Sequence, residues 1–177
     1  MTDMFFVKTG YRDLAQKYDL PLINLNAAES VDVPVPDGRV LQTVKIARPI
    51  METDALINLP NLKVHYATRL TGAMKNLKGV LVGDEKRRFH EIGLDEAITD
   101  LNRVFTPALT IADAIVCMER MGPRGGDDVP MNLILASANP AALDAVAAVI
   151  MGYAIAEVRH LACRLAELNL NPADIAV

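Results

Sequence analysis

Tryptophan is absent from this chain, and phenylalanine and tyrosine supply four residues each out of 177. A core without large rings has to be assembled from Ala, Val, Leu, Ile and Met, which suits helices packed closely on a sheet better than an aromatic-rich sandwich. Cysteine is nearly as scarce. Cys117 and Cys163 stand far apart and outside any CxxC context, so a structural zinc site or a self-contained iron–sulfur cluster lacks its thiolates. Two lone cysteines in apolar surroundings read as inert core residues of a reducing compartment. Long apolar runs are missing too. The longest, Ala145–Met151, falls well short of the ~20 residues that cross a bilayer. The N-terminal MTDMFFVKTG has an early acidic residue and only a short apolar patch, unlike a secretory signal. The net charge of -4 excludes general nucleic-acid binding, which needs a basic domain. The expectation is a soluble cytoplasmic protein of about one domain, with neither nucleic acid nor membrane as a partner.

What the chain does have is a basic island. Between Lys63 and Arg88 lie seven basic residues and two acidic ones, Asp84 and Glu85, giving +5. The whole chain is -4, so the remainder carries -9. Two of the three histidines, His65 and His90, fall in or beside this island. A local positive field on an acidic protein points to a small anionic ligand.

The hydropathy pattern predicts the elements around it. Lys8–Tyr18 has helical spacing, and Pro21–Leu25 reads as a short strand. Val31–Pro36 and Val40–Ala47 flank a Pro36-Asp37-Gly38 turn as a hairpin. Asp54–Leu59 reads as a buried strand, which puts the basic island at its carboxyl end, where open α/β sheets bind ligands. A helix is expected over Gly93–Phe105, a strand over Ala108–Met118, a loop over Glu119–Pro130 and a strand over Asn132–Ser137. A helix follows over Pro140–Met151, capped by Asn139 with proline first. The last helix is Ala156–Leu168, with His160 on its polar, solvent-facing side. The sum is a single α/β domain, a mixed central β-sheet with helices on both faces. The apolar Pro140–Met151 helix suggests a contact between subunits, hence a homodimer.

The stretches INLPNLKVH, TGAMKNLKG, KRRFH, LTIADAIVCMERMGPRGG and NLILASANPAALDAVAAVIMG resemble, in order and spacing, the bacterial and archaeal family called domain of unknown function 362. Many members of that family carry ferredoxin-like cysteine motifs and an additional upstream segment. The resemblance therefore implies a short form without the iron–sulfur part. Its characteristic polar positions fall on Lys63 and His65, on Thr71, Gly72, Lys75 and Asn76, on Lys86 and His90, on Asp113, on Gly122 and Pro123, and on Asp144.

The residues themselves select much the same set. Lys63 and His65 share one side of an extended segment, where a cation keeps the imidazole neutral for acid–base work. These are the candidate catalytic pair. Thr71-Gly72 opening a helix with Lys75-Asn76 is either an anion cradle or an ordinary helix capped by Thr71. With Lys86 and His90 they make up the candidate ligand-binding set. Asp113 interrupts an apolar strand and Asp144 an apolar helix. A buried carboxylate needs a partner, so both are candidates for orienting Lys63 or Lys75. No cofactor is implied. A divalent metal would require His65 and His90 to converge with a carboxylate such as Asp113, Glu119 or Asp144. Two functions follow: an enzyme-like site for a carboxylate or phosphate with His65 as acid or base, or a non-catalytic binding or assembly module.

Overall fold

The computed structural model describes residues 2–177. The helix predicted over Lys8–Tyr18 is α2 (Tyr11–Lys17), and a further short helix, α1 (Thr2–Lys8), precedes it; neither buries a residue. Gly10 at φ 76° makes the break, a left-handed turn that glycine adopts without strain. The Pro21–Leu25 strand does not form. Asn24 instead turns its side chain onto the N–H of Asn26 at 3.2 Å and opens a short 3-10 turn over Leu25–Ala27. Local side-chain hydrogen bonding of this kind competes with strand pairing. The expected hairpin is present as β1 (Ser30–Pro34) antiparallel to β2 (Thr43–Ala47), followed by the short α3 (Arg48–Met51).

The predicted buried strand over Asp54–Leu59 shrinks to β3 (Ile57–Asn58) with its faces reversed. Ile57 and Leu59 are 58% and 66% exposed, while Asn58 is buried. Asn58 faces inward because its amide is fully engaged there. It donates to the carbonyl of Ala73 at 2.9 Å and accepts from Asn76 at 2.8 Å. With period two, an inward Asn58 forces both apolar neighbours out. Next come β4 (Asn61–His65) and β5 (Arg69–Thr71), then the one-turn α4 (Ala73–Asn76), α5 (Glu85–Ile92) and α6 (Leu94–Val104). The long strands β6 (Leu109–Glu119) and β7 (Asp127–Ser137) precede α7 (Pro140–Ile150) and α8 (Arg159–Glu167). Helix α5 carries Lys86, Arg87 and Arg88, and Phe89 anchors it, fully buried.

The five-stranded sheet is mixed. β3 and β4 lie along one side of β6 in a shared parallel register, Ile57 with Leu109, Asn58 with Thr110 and Asn61 with Asp113. Pro60 interrupts them because it has no N–H to give, but its carbonyl still accepts from Asp113 at 2.8 Å. β7 is antiparallel on the other side of β6, and β5 is antiparallel to β4. Helices stand on both faces, unequally. On one face Met74, Ile98, Ala145, Ala148, Leu161 and Leu165 close a core over Leu62, Leu70 and Ala114. On the other, Tyr11 of α2 borders a shallow cleft with Leu59, Asn61, Ile111 and Ile134. A second core packs the β1–β2 hairpin (Val44, Ile46) onto Phe89, Ala97 and Leu101. Helix α6 serves both cores, so Ala97–Asn102 are all buried.

α7 buries Pro140, Ala141, Leu143, Asp144, Ala145, Ala147 and Ala148 within the same chain, and leaves Val149 66% exposed. Two readings of single residues change, those of His160 and Asp113. His160 is fully buried, not on the surface. Its Nδ1 lies 2.8 Å from Asp95, and its backbone N–H donates to the same oxygen. Asp113 is exposed; it accepts from the N–H of Ile115 at the irregular point of β6.

The hairpin loop hangs on one carboxylate. Asp100 of α6, fully buried, accepts from the N–H groups of Arg39, Val40 and Leu41 at 3.0, 2.8 and 3.0 Å. Stranding buried donors carries a large desolvation cost. Asp100→Ala is therefore expected to lower stability by about 3 kcal/mol in urea unfolding; an unchanged midpoint would show that the loop finds other acceptors.

Candidate functional site

Six basic side chains, Lys63, His65, Lys75, Lys78, Lys86 and His90, gather where β4, β5, α4 and α5 meet, and none has an acidic partner in contact. Across the strands Lys63 pairs with Thr71 and His65 with Arg69. Lys75 stands half-buried with its Nζ 3.2 Å from Thr68 Oγ1 and 3.4 Å from Thr71 Oγ1. Lys78, three residues on, places Nζ 3.4 Å from His90 Nε2 and above the ring of Phe89. Lys86 donates to Asn26 Oδ1 at 2.7 Å. Among the described residues every ion pair is made by an arginine or by His160; none uses a lysine.

Burial and mutual repulsion push these groups toward neutrality. Lys75 drops to about 7, first through burial, then through Lys78 and Lys63, with Asp95 opposing. Lys78 drops to about 8 through burial and then Lys86. Burial lowers Lys86 as well, and burial followed by Lys78 and Lys75 lowers His90. His65 falls to about 4, from burial and then from Lys75, His90, Lys78 and Lys63 in that order. These couplings place Lys63, His65, Lys75, Lys78 and His90 in one electrostatic neighbourhood. At neutral pH His65 is uncharged. Its Nδ1 accepts from the N–H groups of Ala67 (3.1 Å) and Thr68 (3.4 Å), so the ring hydrogen sits on Nε2. The outward nitrogen is a donor, which makes His65 an anion contact more readily than a base. Tyr66, largely exposed, stacks on its ring at 4.8 Å.

The turn carrying Lys75 is held from behind. Asp144 of α7, fully buried, accepts from the N–H groups of Ala73 at 2.6 Å and Met74 at 2.9 Å. Those two α4 amides are thus closed to a ligand, and Thr71 is not the cap. Gly72 is required here: a Cβ would lie 2.2 Å from Asp144 Oδ1. Burial pushes the Asp144 carboxyl up to about 6 against the pull of those two N–H bonds and of His160. Asn76 points to Asn58, so it braces the turn. Asp113 lies away from the cluster, in the cleft beside Leu59 and Ile134.

Lys78 and Thr68 escaped the sequence reading. The three-residue spacing of Lys75 and Lys78 was the available signal, since residues three apart share a helical face. Thr68 has no sequence signal at all. Among the described residues no group of three His, Cys, Asp or Glu converges as metal ligands.

The chain belongs to the family that its sequence stretches resemble. The family model described as "Domain of unknown function (DUF362)" matches residues 1–149, the span that holds the whole cluster and Asp144. A curated relative is the thylakoid-associated protein sll1697 of Synechocystis sp., 31% identical over 169 residues. The match takes in 92% of this chain and 51% of the relative, so the chain spans about half the relative's length. No solved structure matches. No helix is long and apolar enough to cross a membrane among the described residues.

Two tests follow. Asp144→Ala should cost about 2–4 kcal/mol, since it strands two buried N–H groups at a helix start. Asp144→Asn, which keeps one acceptor and removes the buried charge, should cost less. Equal losses in thermal melts would contradict the capping role. Secondly, an unfolded lysine titrates near ~10.4, and Lys75 and Lys78 titrate at about 7 and about 8 when folded. Between those values the unfolded chain binds more protons, so stability should climb from pH 7 toward pH 10. A melting temperature that rises less over that range in Lys75→Met, where Lys78 alone still contributes, than in the parent protein is the expected pattern; parallel curves would contradict it.

Proposed function

We propose that the cluster is a binding site for a small anion, a carboxylate or phosphate. Lys63, Lys75, Lys78 and the Nε2–H of His65 would hold it, with Lys86 and His90 at its edge. The observation that carries this reading is the set of half-buried amines with no acidic partner. Desolvating a cation is costly unless an opposite charge offsets it, and an incoming anion supplies that charge. The acid–base group of such a site would be Lys75, poised near neutrality, with His65 as donor; an enzyme is then the natural reading. A second reading, a binding or assembly module, draws on the exposed apolar sheet face formed by Ile57, Leu59, Ile115 and Ile134. A homodimer, if formed, would use that face in preference to α7. We also infer a cytoplasmic location, supported by the two free cysteines, Cys117 and Cys163. Association with a thylakoid is stated of the relative alone.

Inorganic phosphate tests the first reading. At about 100 times Kd a ligand specific for the folded state adds about 2.7 kcal/mol of stability. The melting temperature at pH 7 should therefore rise with phosphate but not with matched chloride, and the rise should shrink by pH 9 as the lysines lose charge. Lys75→Met/Lys78→Met should be more stable than the parent without phosphate and indifferent to it. An equal phosphate response in that double variant would overturn the assignment.

A further inference from the structure

We propose that Lys75 is a nucleophile for a carbonyl group, and that the ligand is a small oxo acid, an anion carrying an aldehyde or ketone. The inference rests on the anion-binding reading and goes one step beyond it.

Geometry separates Lys75 from its neighbours. Thr68 Oγ1 gives its own hydrogen to the carbonyl of Leu70 at 3.2 Å, so toward Lys75 it can only accept. Thr71 Oγ1 accepts as well. Two N–H donations use both hydrogens of a neutral amine and leave its lone pair in the remaining tetrahedral direction. The amine is fixed at its base by the Asp144 cap on the same turn. Its own pKa, about 7, makes the neutral form abundant at physiological pH. An ordinary lysine is neutral there about a thousandfold less often. A desolvated lysine beside other cations is the usual environment of an amine that attacks carbonyls. Lys63 and Lys78 supply those cations and would hold the ligand's carboxylate. The Nε2–H of His65 offers a hydrogen bond to carboxylate or carbonyl oxygen.

The step balances without a cofactor. The Lys75 lone pair forms a C–N bond as the C=O π pair moves to oxygen. One amine proton passes to that oxygen, giving a carbinolamine. The hydroxyl then departs as water with the second amine proton, leaving a neutral imine. Nothing is oxidised or reduced.

The test uses the full chain with glyoxylate and sodium borohydride, which converts an imine to a carboxymethyl-lysine that peptide mapping can locate. The expected result is labelling of Lys75 at least about tenfold faster than the exposed Lys8, Lys17 and Lys45. Its rate should be half-maximal near pH 7, and inorganic phosphate should suppress it. Lys75→Arg keeps the charge and loses the nucleophile, so it should abolish labelling yet still be stabilised by phosphate. Labelling that follows surface exposure, or none at Lys75 while phosphate still stabilises the parent, would overturn this proposal and leave the anion site standing. Failure of both labelling and phosphate stabilisation would remove the two together.

Discussion

The carboxylate of Asp144 joins two parts of the chain that are distant in sequence. It sits on α7, accepts two N–H groups from the turn that follows β5, and touches down where Gly72 leaves no Cβ in the way. That contact fixes the turn bearing Lys75 and Lys78 against the helical layer. From there the amide chain of Asn76, Asn58 and the Ala73 carbonyl ties the same turn to the sheet. Without the cap, a four-residue helix has too few hydrogen bonds to hold its own shape. The precise placement of the amines therefore depends on a residue that no ligand would reach.

What this support holds in place is an unfavourable arrangement. Lysines that repel one another and lack carboxylates weaken a fold, and such local costs concentrate where a protein binds or reacts. The Asp95–His160 pair shows the opposite case in the same molecule. Burial works against the Asp95 charge, but the hydrogen bond and charge of His160 win and hold that carboxyl below its usual range. A charge that serves structure is paired; the cluster charges are not.

Much of this could be read in the sequence, for definable reasons. The hairpin, the strand β6, the second half of β7 and the helices α6, α7 and α8 announced themselves through periodicity and through Asn139 as a cap, while the start of β7 at Asp127 lies in the stretch expected to be a loop. The mixed α/β architecture followed from their order. Asp54–Leu59 was misjudged because its polar residue, Asn58, is satisfied by partners that only tertiary structure supplies. His160 was misjudged likewise: Glu157 and Arg164 suggest a wet face, but Asp95, 65 residues earlier, receives the imidazole in the interior. Asp113 looked buried from its apolar neighbours, and the pleat turns it outward. Basic content marked the candidate site. Which amines lack partners, and which nitrogen of His65 faces out, depends on contacts between strands and was invisible in one dimension.

The central claim is that Lys75 is held near neutrality in a site that an anion completes. The titration of its own side chain tests this most directly, by NMR of the lysine Cε and Nζ signals assigned with Lys75→Arg. The account predicts a midpoint near 7 in the free protein, moving upward when inorganic phosphate is added. A midpoint near the ordinary ~10.4, unmoved by phosphate, would contradict it.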